Sequence, residues 1–122
     1  MDNFDKIAYR EELKTRLRKF SLSLIELSQD TPYSKESKVL MNQLLRSGTS
    51  VYANYRAVCR SRSKAEFFSK LSIVVEEADE TEMWLDMSIA SRVNDSDLAK
   101  ELLGESLEIL KIMAKARKSI SS

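Results

Sequence analysis

Apolar residues recur along this chain at alternating steps of three and four positions, the spacing that places side chains on one side of an α-helix. In the first segment, the residues with this spacing are Leu13, Leu17, Phe20, Leu24 and Leu27. They predict a helix over about 4–28. The helix is expected to end before Pro32, because a proline lacks a backbone donor and restrains Thr31 to extended conformations.

Three later segments repeat this spacing and predict helices over about 34–59, 64–91 and 96–118. Their apolar-side residues are Leu40, Leu44, Ser47, Val51, Asn54 and Val58 in the second helix, Phe67, Leu71, Val74, Ala78, Thr81 and Leu85 in the third, and Leu98, Leu102, Ile109, Ile112 and Ala116 in the fourth, where Leu103, Leu110 and Met113 lie beside them and widen the apolar face. Four amphipathic helices of similar length with short connections predict an all-α fold, an antiparallel up-down-up-down four-helix bundle.

The third helix is expected to begin with a capping box. In Ser63-Lys64-Ala65-Glu66, the spacing lets the Ser63 hydroxyl accept the backbone N–H of Glu66 and the Glu66 carboxylate accept the backbone N–H of Ser63. Ser63 and Glu66 are therefore predicted as the helix cap.

The second and third helices carry more apolar residues than one core-facing side uses. The additional residues are Met41, Leu45 and Tyr52 in the second helix, and Phe68, Val75, Met83, Trp84, Met87 and Ile89 in the third. One hypothesis is that a second face is buried between subunits, because large exposed apolar patches are uncommon on monomers. The alternative is a wide core-facing arc in a monomer.

Composition limits the classes of protein that fit this pattern. A chain of 122 residues with two glycines and one proline predicts one helical domain over 1–122. The single cysteine, Cys59, excludes an intrachain disulfide and fits a reducing cytosol. No apolar run exceeds three residues, so neither a standard secretion signal nor a membrane span is expected. The formal net charge of +1 means that any basic surface must be local.

The residue types argue against common catalytic chemistry. The chain has no histidine, the usual general base, and its two glycines cannot form a glycine-rich phosphate loop. An acidic run in the third helix comprises Glu76, Glu77, Asp79, Glu80, Glu82 and Asp86. Di-metal bundles normally add histidines to such carboxylates, so a solvated or intersubunit acidic face is favoured over a metal site. No catalytic residue, metal or cofactor is predicted, and the protein is not expected to be an enzyme.

Small polar residues interrupt the apolar side of the second helix. Ser47, Ser50 and Asn54 lie there, and Thr81 occupies the corresponding side of the third helix. Because buried polar groups need partners, these residues are predicted to fix the register between the two helices, with Gly48 permitting close approach. A ligand pocket is the alternative.

A basic cluster spans the end of the second helix, the next turn and the start of the third helix. It consists of Arg56, Arg60, Arg62, Lys64 and Lys70. Only Glu66 opposes these charges, which leaves a local balance of +4. Tyr52 and Tyr55 precede the cluster, and basic residues beside aromatic ones are typical of surfaces that bind phosphates and stack bases. Alternatively, the cluster is a solvated face or pairs with the acidic run of a neighbouring subunit.

One part of the chain resembles a known family. The resemblance lies in Asn42-Gln43-Leu44-Leu45-Arg46-Ser47-Gly48-Thr49-Ser50-Val51, Ala53-Asn54-Tyr55-Arg56, Ser61-Arg62-Ser63-Lys64-Ala65-Glu66-Phe67 and Glu76-Glu77-Ala78-Asp79-Glu80-Thr81. These segments are similar to the bacterial four-helix-bundle proteins encoded in intervening sequences of 23S rRNA genes. The resemblance implies a bacterial cytoplasmic protein without known catalytic activity, assembled as a ring-shaped homopentamer.

The same superfamily includes the accessory variability determinant of diversity-generating retroelements, a basic protein that binds a reverse transcriptase and nucleic acid. The near-neutral charge of this chain departs from that relative. The preferred hypothesis is therefore a non-enzymatic oligomer that associates with RNA, including ribosomal RNA, through the Arg56 to Lys70 cluster. The rival is a protein-interaction scaffold, including a partner of a reverse transcriptase. No membrane partner is expected.

Overall fold

A computed structural model describes residues 3–121 and contains four α-helices. They are α1 (Asn3–Asp30), α2 (Lys35–Cys59), α3 (Lys64–Ala90) and α4 (Asp97–Ser121). Each end lies within three residues of its predicted position, and the described residues include no strand. The predicted all-α class is confirmed.

The helices pack in chain order. α1 packs on α2, α2 on α3, α3 on α4, and α4 returns to α1, which closes an antiparallel four-helix bundle. The α1 and α4 helices pack least closely of the four neighbouring pairs. Between them, the Arg16 guanidinium donates two hydrogen bonds of 2.7 Å to the Glu105 carboxylate. This polar pair joins the two helices where apolar packing is sparse.

The core is built mainly from the predicted apolar sides. Every predicted residue of α1 is buried, as are Leu44, Ser47, Val51 and Val58 of α2. The prediction for α4 was partly wrong, since its innermost residues are Ala99, Leu102, Ser106, Ile109 and Met113. Leu98 and Ile112 are only half-buried. Small Ala99 and Ser106 give a weak hydrophobic signal in the sequence, although they fit where α4 approaches its neighbours.

Much of the additional apolar surface of α2 and α3 also faces the core. Met41 is buried, and Leu45, Tyr52, Val75, Trp84 and Ile89 are partly buried against the core. This packing favours a wide core-facing arc for those residues. Phe68 and Met87 differ from them, because 37% and 46% of their surfaces stay exposed.

The helix caps differ in detail from the prediction. The Ser63 hydroxyl accepts the Glu66 backbone N–H at 3.0 Å. The Glu66 carboxylate accepts a hydrogen bond from Lys70 instead, so only half of the predicted capping box forms. A full capping box forms at the start of α2, between Ser34 and Ser37. The sequence signal was missed there because the third residue is serine and lacks the usual glutamate or glutamine.

Candidate nucleic-acid interface

The antiparallel fold gathers positive charge at one end of the bundle. The starts of α1 and α3 meet the ends of α2 and α4 there, around a crevice of about 110 Å³. The residues that line it are Lys6, Tyr9, Arg10, Leu13, Tyr55, Phe67, Leu71, Ile112, Met113 and Ala116. Four segments that are distant in sequence therefore share one surface.

The two halves of the bundle carry opposite charge. Residues 3–19, 52–72 and 105–121, here called the basic half, hold fifteen lysines and arginines against six acidic residues, a balance of +9. Residues 20–51 and 73–104, the acidic half, hold five basic residues against twelve acidic ones, a balance of −7. The near-neutral total thus conceals a strongly positive end, which attracts polyanions over several ångströms.

All five residues of the predicted cluster lie in the basic half. Arg56, Arg60, Arg62 and Lys64 are exposed, and Lys70 is half-buried. The Arg56 guanidinium lies 5.7 Å from the centroid of the Tyr52 ring, a cation–π contact that holds both side chains in place. The predicted cluster is therefore one part of a larger cationic surface.

Sequence reasoning missed the contribution of α1 and α4. Arg10 reaches the same surface from α1, and its guanidinium lies 5.5 Å from the centroid of the Phe67 ring. The last helix adds four basic residues and no acidic residue over 109–121. That local excess is visible in the sequence, but its distance from the Arg56 to Lys70 cluster hid the connection.

Arg10 belongs to a cationic cleft at the turn between α2 and α3. The cleft has a volume of about 430 Å³, and its lining residues are Arg10, Ser61, Arg62, Ser63, Lys64, Phe67 and Ile120. Three cationic side chains and two hydroxyl-bearing residues surround this space. Such a donor set suits a phosphate or another oxyanion.

Glu66 lies beside this cleft and pairs with Arg62, one of its lining residues. Its Oε1 lies 2.8 Å from Lys70 Nζ, and Arg62 Nε lies 3.9 Å from Oε2. The hydrogen bond from Lys70 holds the pKa of the Glu66 carboxyl below its usual range. Glu66 therefore carries its negative charge at neutral pH and offsets part of the local positive charge.

Tyr55 and Cys59 lie beneath the basic surface. Burial raises the pKa of the Tyr55 phenol and of the Cys59 thiol. A thiol with a raised pKa is a poor nucleophile, because the reactive form is the thiolate. These two groups support the core of the basic half.

The predicted polar seam is split between two locations. The Thr81 hydroxyl donates to the Ser47 hydroxyl oxygen at 2.9 Å, and both residues are fully buried. Asn54 instead donates within its own helix, to the Ser50 carbonyl oxygen at 2.9 Å and the Ser50 hydroxyl at 2.8 Å. Ser47 and Thr81 thus link α2 to α3, while Ser50 and Asn54 form a local pair.

The acidic run contributes to the α2–α3 contact. Arg46 of α2 pairs with Glu77 at 3.3 Å and also with Glu80, whose carboxylate accepts a hydrogen bond from Trp84 Nε1 at 3.1 Å. Within residues 3–121, no group of three metal-ligating side chains comes together. In the same range, no helix is long and apolar enough to cross a membrane.

Comparison with known proteins identifies the family. The model of the 23S rRNA-intervening sequence protein family matches residues 12–115, most of the chain. The chain belongs to this family. The resemblance noted in the sequence from Asn42 to Thr81 is thereby confirmed.

A solved structure supports the intervening-sequence family assignment. It is a protein with unknown function from the S23 ribosomal protein family of Bacteroides thetaiotaomicron VPI-5482. That protein is 31% identical, with a TM-score of 0.78 over 86% of this chain and 97% of its own. No curated protein matches the chain.

Proposed function

We propose that this protein is a non-enzymatic RNA-associating protein whose basic half binds the phosphate backbone. The separation of charge carries the proposal: the basic half holds fifteen cationic and six acidic residues, whereas the other half holds five cationic and twelve acidic residues. A polyanion is attracted to one end of the bundle and repelled by the other. The charge distribution therefore supports binding in a defined orientation.

Ribosomal RNA is the RNA that the family's association with 23S rRNA genes favours. Binding to phosphates releases condensed counterions, so affinity is expected to fall steeply with salt. For single strands, each phosphate contact contributes about 0.7 to the slope of log affinity against log salt concentration. The slope thus reports how many cationic side chains take part.

Charge-reversal variants test this proposal. The first variant replaces three residues of the basic half by Glu: Arg60, Arg62 and Lys64. The control variant replaces three lysines of the acidic half by Glu: Lys35, Lys38 and Lys100. All six side chains are exposed, and both variants lower the net charge equally. We expect the first variant to lose RNA affinity by roughly tenfold or more at low salt and the control to lose far less, measured by fluorescence anisotropy.

Equal losses in both variants would show that only total charge matters, against a site in the basic half. Absence of any RNA complex with the native protein at low salt would remove the proposal. A protein-interaction scaffold, including a reverse-transcriptase partner, would then be the better hypothesis.

We also propose that the protein assembles as a homopentameric ring in the cytoplasm. Two exposed helix sides with opposite charge support contact between copies. They consist of Leu22 and Ile25 with Arg18 on α1, and of Ile73 and Met87 with Glu76 on α3. Contact between two different surfaces is heterologous, and a heterologous contact generates a closed ring when its rotation closes.

A charge swap tests this contact. Arg18→Glu is expected to dissociate the assembly, and adding Glu76→Lys is expected to restore it by reversing both charges. Sedimentation would report the mass relative to the 14.0 kDa chain. A native protein that sediments as a single chain at micromolar concentration would contradict the ring.

A further inference from the structure

A second depression adjoins the cationic cleft in the basic half. It has a volume of about 460 Å³ and is lined by Lys64, Ala65, Phe68 and Ile120. Lys64 and Ile120 line both spaces, so the two depressions are neighbours on one surface. The second depression is mainly apolar, whereas the first contains three cationic side chains.

Phe68 is the unusual residue of this depression. It is an aromatic side chain at the surface of a highly charged half, with 37% of its surface exposed, while Phe67 beside it packs against the core. An exposed phenyl ring among cations gains no hydrogen bond or ion pair there. Its exposed face is instead suited to stack on a planar group.

An unpaired nucleotide combines the chemistry of both depressions. Its phosphate carries the negative charge that Arg10, Arg62 and Lys64 complement, and its base has an apolar face that stacks on aromatic rings. In a duplex, base faces are covered by neighbouring bases, so only phosphates, sugars and base edges are available. An apolar depression beside a cationic cleft thus adds affinity for unpaired RNA and none for duplex RNA.

We infer that the basic half prefers unpaired RNA over duplex RNA, an inference that rests on the proposed RNA association. A phosphate occupies the cleft formed by Arg10, Arg62 and Lys64, and the adjoining base packs against Phe68 and Ile120. The contact between Arg10 and Phe67, with 5.5 Å from guanidinium to ring centroid, holds one cation in place before binding. Stacking is tolerant of base identity, so little sequence preference is expected.

The test compares a short single-stranded RNA with a duplex of the same length, using three variants. Phe68→Ala removes the stacking face, and Phe68→Trp retains it. Val39→Ala is the control, since Val39 is an exposed apolar residue of α2 in the acidic half, outside the proposed contact between copies. Circular dichroism confirms that each variant keeps its helix content, and anisotropy at low salt gives the affinities.

We expect the native protein to bind the single strand more tightly than the duplex. Phe68→Ala should weaken single-strand binding by roughly tenfold, since loss of one base–aromatic stack has this order of effect. Phe68→Trp should bind at least as tightly as the native protein, and the affinity of Val39→Ala should be unchanged. Duplex binding should be the same in all four proteins.

Two results would overturn this inference while leaving the proposed function intact. One is equal affinity of the native protein for duplex and single strand. The other is a Phe68→Ala variant that binds the single strand like Val39→Ala, while the reversal of Arg60, Arg62 and Lys64 still weakens binding. If neither RNA binds the native protein at low salt, the proposed function and this inference both fail.

Discussion

α2 packs tightly against its neighbours at Gly48, and adding one methyl group there tests the packing of the core. A Cβ at this position would overlap Leu24 Cδ1 and lie 3.7 Å from Thr81 Cγ2. Leu24 is fully buried, so its side chain cannot swing away without displacing other core residues. Gly104 provides the matched control, because a Cβ added there meets no atom within 4 Å.

The expected magnitudes follow from two opposing terms. In either helix, replacing glycine by alanine gains about 1 kcal/mol of helix propensity. At Gly48, overpacking costs about 1–3 kcal/mol, so Gly48→Ala is expected to be neutral or to lose up to about 2 kcal/mol. Gly104→Ala should gain about 1 kcal/mol. The difference between the two variants cancels the propensity term and measures the overpacking alone.

Urea denaturation followed by circular dichroism measures both variants. They are compared at one protein concentration, because association between copies would add to apparent stability. The midpoint should rise for Gly104→Ala and fall or stay level for Gly48→Ala, with the denaturant slope unchanged. In a Leu24→Ala background, which removes the overlapping atom, Gly48→Ala should become stabilising.

A Gly48→Ala variant as stable as Gly104→Ala would refute this reasoning. It would show that Leu24 relaxes at no cost, and hence that α2 could accept a larger residue at its centre. Gly48 would then have no role in the spacing of the helices.

Further predictions concern three polar pairs. Thr81→Val should cost about 1 kcal/mol by urea denaturation, because the bond between α2 and α3 is lost and Ser47 keeps only its 3.3 Å bond to the Leu44 carbonyl. Adding Ser47→Ala should then cost little more, and additive losses would contradict a direct bond. Glu66→Gln should tighten RNA binding slightly, since it removes one negative charge beside the cationic cleft, and an affinity equal to that of the native protein would contradict this. The stabilising effect of ionised Glu66 is present above the ordinary pKa of a glutamate and is lost as pH falls through its lowered pKa; an NMR titration with an ordinary pKa would contradict this. Glu105→Gln breaks the part-exposed pair with Arg16 and should cost only about 0.5 kcal/mol. It should nevertheless speed hydrogen exchange in α1, and unchanged exchange would show that apolar packing alone holds α1.

The fold was predictable because its information is local. Helix ends and buried sides follow from three- and four-residue spacings, and one proline and a few cap residues set the boundaries. The errors in α4 arose where small residues, Ala99 and Ser106, face the core with little hydrophobic signal. Packing there is decided by the space between helices, which no single segment encodes.

The basic half was only partly predictable because it is assembled from distant segments. The cluster from Arg56 to Lys70 is continuous enough to be recognised in the sequence. Arg10 lies beside this cluster only because the antiparallel fold places the start of α1 next to the turn between α2 and α3. The basic end of α4 lies there for the same reason. Total charge was a misleading guide, because the sum of +1, which includes Asp2 outside both halves, contains no information about the separation of +9 from −7.

The two proposals reinforce each other through symmetry. Rotation about the ring axis relates the copies to one another. Unless the long axes of the bundles lie in the plane of the ring, all basic halves therefore lie on the same face of the ring. Once one basic half has bound an RNA, the other four meet the same RNA at a raised effective concentration. The charge swap therefore predicts more than a change in mass: Arg18→Glu, which dissociates the ring outside the RNA cleft, should weaken binding to long RNA far more than binding to a short single strand. Equal weakening for both lengths would mean that each copy binds alone.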